Sequence, residues 1–165
     1  MRNIILIGMP GVGKSTLGVL LARQIGFHFL DTDLVIQARE GKLLRELIAE
    51  HGDDGFLKLE EDVCAALEAD RSVIATGGSL IYEPRAMAHL HELGTVVYLK
   101  LGYKPLARRL GDLKKRGVVL RPGQTLRMLY DERVPLYERY ADVTVECNGQ
   151  DTENCVRLLR KKLHV

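Results

Sequence analysis

Five short apolar runs punctuate the chain: Ile4-Ile5-Leu6-Ile7, Phe27-His28-Phe29-Leu30, Val73-Ile74-Ala75, Val96-Val97-Tyr98-Leu99 and Val143-Thr144-Val145. Segments with helical period separate them. Leu17, Leu20, Leu21 and Ile25 follow Lys14 at three- and four-residue steps, which predicts a helix with one buried stripe, and Gly26 supplies a stop. A second helical stretch is expected over about residues 43–69, interrupted near 52–55, and a third from Gln124 to about Val134, where Pro135 kinks or ends it. A last helix covers about residues 152–163. Strand and helix alternating in this way predict an α/β fold with a mainly parallel sheet covered on both faces.

Composition narrows the picture. The 165 residues show no repeat, low-complexity tract or linker, so a single domain over residues 1–165 is expected. With 24 basic against 22 acidic residues the net charge is only +2, which offers no field to hold a polyanion, so nucleic acid is not an expected partner. Met1-Arg2-Asn3 leads straight into the first apolar run, which glycine ends too soon for a secretory signal, and no run approaches the ~20 apolar residues of a membrane helix. A cytoplasmic protein with no membrane partner is expected. Cys64, Cys147 and Cys155 have no metal-binding spacing and read as packing residues, while His89 and His91, two apart on an expected helix, read as solvent-facing.

The chemistry starts at Gly8-Met9-Pro10-Gly11-Val12-Gly13-Lys14-Ser15, followed by Thr16, a complete G-x-x-x-x-G-K-[ST] phosphate loop between a strand and an amphipathic helix. Glycines let backbone N–H groups converge on anionic oxygens, and the helix that follows points its positive end at them. Lys14 is expected at the β- and γ-phosphates and Ser15 on Mg²⁺. Nucleotide binding follows from this loop. No N-K-x-D guanine-reading motif occurs in the chain, which argues against a GTPase switch.

Ligands of open α/β sheets bind beyond the carboxyl ends of the strands. The second strand ends in Asp31-Thr32-Asp33 and the third in Thr76-Gly77-Gly78-Ser79. Asp31 suits Mg²⁺ through a water, Asp33 suits an attacking hydroxyl, and Gly77 and Gly78 can offer backbone N–H groups to a substrate. The alternatives are a helix N-cap for the aspartates and a plain turn for the glycines. Arg133 follows Leu126, Leu129 and Tyr130 at seven, four and three residues, on their apolar face, so it needs an anionic partner: an internal carboxylate or a ligand. Residues 111–123, rich in glycine and in Lys114, Lys115, Arg116 and Arg121, read either as a solvated loop or as a lid.

Taken in order, the phosphate loop, Asp31-Thr32-Asp33, Phe56 with Glu60, Thr76-Gly77-Gly78, and Arg133-Val134-Pro135-Leu136-Tyr137 with Ala141-Asp142 resemble the shikimate kinase family, part of the nucleoside-monophosphate-kinase-like group. The resemblance runs through nearly the whole chain. It implies a three-layer sandwich on a five-stranded parallel sheet of order 2-3-1-4-5, a monomer, ATP as co-substrate with Mg²⁺, a substrate-binding helical region over about residues 32–62, and a lid over about 111–123. It also implies that Asp33, Gly77, Gly78 and Arg133 bind shikimate, that Ser15 and Asp31 serve Mg²⁺, that Arg109 stacks on adenine, and that a lid arginine, Arg121 or Arg116, reaches the phosphates.

Two positions depart from the family's pattern. The usual Phe-Arg pair, whose arginine forms half of the clamp on the substrate carboxylate, is Phe56-Leu57 here, and neighbouring Lys58 lies about 100° round the helix. Glu60 then lacks its usual arginine, which points to a different hydroxylated acceptor, one with an amine facing Glu60, as the competing reading. The lid's usual Arg-Pro-Leu-Leu is present only as Arg121-Pro122-Gly123-Gln124. A non-catalytic nucleotide-binding module and a nucleoside monophosphate kinase are weaker readings.

Overall fold

The computed structural model describes residues 2–111, 118 and 120–165. The five apolar runs are strands: β1 (Asn3–Ile7), β2 (His28–Asp31), β3 (Ser72–Ala75), β4 (Gly94–Lys100) and β5 (Val143–Glu146). All pair in parallel in the order β2-β3-β1-β4-β5, with Ile5 opposite Ile74 on one side and Val96 on the other. Central β1 is buried throughout, as a strand covered on both faces must be. The expected strand order and layering are those observed.

Helix α1 (Lys14–Ile25) closes on Gly26 in the left-handed conformation, φ 70°. It packs on β3 and on α7 (Thr152–Leu163), whose N-cap Asp151 accepts the Asn154 N–H. Helix α4 (Pro84–Leu93) covers β4 and rests on α3 (Leu44–Ala65), which breaks at Gly52 (φ 71°, ψ 177°) inside the interruption expected from sequence. Between β4 and residue 111 lies α5 (Tyr103–Leu110). Among the described residues no helix is long and apolar enough to cross a membrane.

Three local expectations need correction. Helix α2 (Thr32–Glu40) was anticipated only through the alternative of an aspartate cap and the helical region that the resemblance implies, without a span of its own; Ile36 is its only buried apolar residue, so no apolar stripe announces it. Helix α6 (Leu126–Tyr140) runs through Pro135 rather than ending there. Its buried face, Leu126, Leu129, Arg133 and Tyr137, continues past the proline, and Tyr137 stacks on Tyr98 of β4 with centroids 5.1 Å apart. That packing outweighs the single backbone bond a proline forgoes. His89 is half-buried rather than solvent-facing, its Nε2 2.7 Å from the Leu67 carbonyl at the α3–α4 contact; His91 is exposed as expected. All three cysteines are buried and unpaired.

Beside the main core, Ile36, Leu47, Phe56 and Val63 form a small second cluster joining α2 to α3. Helices α2 and α3 thus share a small core of their own beside the sheet.

Candidate active site

The phosphate loop bridges β1 and α1, with Gly11 at φ 82° and Gly13, the α1 N-cap, at φ 103°, conformations that a side chain would strain. Lys14 lies buried over the loop and donates to the carbonyls of Gly8 (2.7 Å) and Met9 (3.0 Å). Burial lowers its pKa to about 8, opposed by the negative charge of Asp33. Ser15 and Thr16 are exposed to the same cavity, of about 520 Å³.

Asp31 caps the next helix and also reaches the phosphate loop. Its Oδ1 caps α2 by accepting the Asp33 N–H at 3.0 Å, and its Oδ2 accepts the Ser15 hydroxyl at 2.8 Å. Asp33 lines the same cavity, its carboxyl pushed up by burial and by the neighbouring charge of Asp31, with Lys14 pulling the other way.

The turn after β3 forms the opposite wall. A Cβ at Gly77 would collide with Glu60 Oε2 and lie 3.3 Å from Asp33 Oδ1, while one at Gly78 would lie 3.1 Å from Arg133 Nη1. Only glycines let both carboxylates and the guanidinium close on this turn. The Gly77 N–H donates to Thr32 Oγ1 at 3.3 Å.

Arg133 is buried as its helical position requires, and no carboxylate of the described residues comes within 4.0 Å of it. Its Nε donates to Tyr82 Oη at 3.4 Å and its guanidinium lies 5.4 Å from the Tyr82 ring centroid. Tyr82 in turn donates to Glu132 at 2.8 Å. Sequence reasoning missed Tyr82, and Ser79 as the partner of Glu60; both lie in or beside a one-turn 3₁₀ segment, Leu80–Tyr82, with no periodicity to mark them.

Glu60 is 1% exposed, and its Oε1 accepts the Ser79 hydroxyl at 2.9 Å. Burial pushes its carboxyl up to about 7, the Ser79 bond opposing. Leu57, one turn earlier on α3, lines the cavity beside it. Lys58 is exposed and pairs outward with Glu61 at 2.9 Å, so it does not replace a cation at position 57. Arg109, on α5, donates to the Val12 carbonyl at 3.2 Å, against the phosphate loop. Arg121 lines the cavity from its outer rim; Arg116 and most of the expected lid lie outside the described residues.

A phosphate loop that shares one cleft with a buried carboxylate and a buried arginine, beyond the carboxyl ends of a parallel sheet of this order, defines a P-loop kinase. The sequence profile described as Shikimate kinase matches residues 10–164. A shikimate kinase of Francisella tularensis subsp. novicida is 38% identical over 161 residues, covering 94% of this chain and 90% of that one. One from Thermobifida fusca is 37% identical over 163 residues, 96% and 93% of the two chains. The chain belongs to the shikimate kinase family, whose members are ATP-dependent kinases. Among solved structures, the shikimate kinase of Acinetobacter baumannii in complex with shikimate superposes with a TM-score of 0.88 at 33% identity, covering 99% of this chain and 94% of that one.

Proposed function

We propose that the chain transfers the γ-phosphate of ATP to a hydroxyl of shikimate, acting as a cytoplasmic monomer. The observation that carries the assignment is Arg133, a buried guanidinium on the acceptor wall without a carboxylate partner among the described residues. A ligand carboxylate supplies the anion that such a group requires.

In this reading the N–H groups of Gly11, Val12 and Gly13 with Lys14, Ser15 and Thr16 hold the phosphates, and Arg109 lies under the adenine. Asp33 takes the proton of the attacking hydroxyl, its raised pKa bringing it nearer to the strength of a useful base. The Gly78 N–H and Arg133 orient the acceptor, Gly77 shapes its wall, and Arg121 closes on the transferred phosphate from the lid side. Ser15 and Asp31 fit Mg²⁺: they are hard oxygen donors already 2.8 Å apart at the phosphate loop. Among the described residues no group of three or more metal-ligating side chains gathers, as suits an ion that keeps waters and phosphates for most of its shell. Bound there, Mg²⁺ neutralises charge on the β- and γ-phosphates.

A coupled ADP-release assay with shikimate as acceptor tests the assignment. Release should depend on shikimate and fall roughly 10²- to 10⁴-fold in Asp33→Asn. No shikimate-dependent release would end it.

A further inference from the structure

The acceptor wall carries one group to which the proposed reaction assigns no role. Glu60 is almost wholly buried, yet no cation of the described residues lies within 4.0 Å of it. Its Oε1 is occupied by Ser79, and no side-chain or backbone donor of the described residues reaches Oε2. Among the described residues no fully buried side-chain oxygen lacks a partner, so Oε2 keeps a small exposure in the cavity that Glu60 lines. The groups facing Glu60 from the elements around it are the Ser79 hydroxyl, Asp33 on α2, Arg133 on α6, Glu83 ahead of α4 and, farther off, Lys14 at the start of α1. Arg133 and Lys14 are the cations in this set, and neither lies within 4.0 Å of Glu60; Arg133 lies against Gly78 while Oε2 lies against Gly77. Leu57, one helical turn from Glu60, gives the cavity an apolar surface where a long cationic side chain could have reached this carboxylate.

A carboxylate and a guanidinium on adjacent glycines, close but unpaired, match a ligand whose ammonium and carboxylate are one carbon apart. We infer that the acceptor pocket also takes small hydroxylated α-amino acids, with the ligand carboxylate on Arg133, its ammonium on Glu60 Oε2 and its side-chain hydroxyl toward Asp33 and the γ-phosphate. The inference rests on the reading of this cleft as the acceptor site of an ATP-dependent kinase. In the reaction the hydroxyl oxygen forms a bond to the γ-phosphorus, the bond to the β–γ bridging oxygen breaks, and the hydroxyl proton passes to Asp33. The products are ADP and the phosphate ester of the amino acid.

The state of Glu60 agrees. Burial, with the neighbouring charges of Asp33 and Glu83, pushes its carboxyl up to about 7 against the Ser79 bond and the charge of Arg133, so no cation in the site fully offsets its burial; an ammonium arriving at Oε2 supplies one.

The test compares each ligand with its own deaminated analogue, so that size, hydroxyl and carboxylate stay constant. Serine, threonine and homoserine are set against the matching hydroxy acids, with shikimate run in parallel. Binding to the protein loaded with a non-hydrolysable ATP analogue and Mg²⁺ is measured by calorimetry, and ADP release by the coupled assay. At least one amino acid should bind roughly 10- to 150-fold more tightly than its deaminated analogue, the range of a charge-assisted bond in a buried site. In Glu60→Gln that preference should fall below about threefold, whatever happens to absolute affinity. Shikimate turnover without binding of any amino acid overturns this inference and leaves the kinase assignment standing. Amino acid turnover without shikimate turnover sustains this inference and the kinase reading, and overturns shikimate as the acceptor. Equal binding of the paired ligands, or an undiminished preference in Glu60→Gln, removes Glu60 as the ammonium site.

Discussion

The phenol of Tyr137 donates to the carbonyl of Gly78 at 2.6 Å, from a ring that is fully buried and stacked on Tyr98. One turn earlier on the same helix stands Arg133, so a single side chain ties the helix that carries the acceptor-binding cation to the glycine turn that forms the wall beside it. Replacing Tyr137 with Phe keeps the stack and strands the carbonyl. We expect a loss of about 1–2 kcal/mol in urea unfolding, the usual scale for an orphaned, partly buried acceptor. We also expect KM for the acceptor to rise several-fold more than KM for ATP. Equal effects on both constants would reduce the bond to general stabilisation.

Much of this arrangement was legible in the chain itself. Short apolar runs gave the strands because a strand buried on both faces has no alternative composition, and the phosphate loop, the Asp-x-Asp pair and the glycine pair all fell at strand ends, where a parallel sheet gathers its ligands. Arg133 was legible for a different reason: helical spacing from Leu126 and Leu129 put it on a buried face, and a buried guanidinium is costly without a purpose. What escaped was set by tertiary contact. Helix α2 is held by its Asp31 cap and by Ile36 rather than by a stripe, α6 crosses Pro135 because Tyr137 is anchored beyond it, and Tyr82 reaches Arg133 across 51 positions of chain from a segment too short to have a period.

Asp31 serves two ends at once, capping α2 through Oδ1 and accepting the Ser15 hydroxyl through Oδ2. Asparagine caps about as well as aspartate but carries no charge. In Asp31→Asn the unfolding free energy should therefore shift by less than about 0.5 kcal/mol, while the Mg²⁺ concentration for half-maximal activity rises roughly 10- to 100-fold. Asp31→Ala should add a stability loss of about 1 kcal/mol to the same metal effect. A magnesium titration unchanged in Asp31→Asn would leave this residue as a cap alone.

Glu60 links the acceptor site to pH. Its carboxyl, ordinarily near 4.5, is raised to about 7 by burial, so between those values the folded protein holds a proton that the unfolded chain has released. Stability then falls as pH rises through this window and levels off above it, by on the order of 3 kcal/mol for this group. Asp33, also raised, acts in the same sense, so the difference between wild type and Glu60→Gln isolates the contribution. The variant, neutral at every pH, should match the wild type near pH 5 and exceed it in ligand-free urea unfolding near pH 8. A difference independent of pH would mean that Glu60 titrates alike in the folded and unfolded chain.

Leu57 decides what the carboxylate of Glu60 has to answer. An arginine at this position lies one turn before Glu60 on the same face of α3, within reach of both Oε2 and a ligand carboxylate held by Arg133. Leu57→Arg should therefore do three things together. It should tighten shikimate by roughly 10- to 150-fold, the gain of a second charge-assisted contact on its carboxylate. It should draw the Glu60 carboxyl back down through the new opposite charge, which flattens the stability profile between about pH 5 and 7. It should also weaken hydroxylated amino acids, because the guanidinium then occupies the place of their ammonium. Steady-state kinetics with both acceptor classes and urea unfolding at two pH values read all three. Tighter shikimate binding with no change in the amino acids would separate the two acceptor classes at Arg133 and detach Glu60 from either; no change in shikimate would show that Arg133 and Tyr82 already saturate its carboxylate.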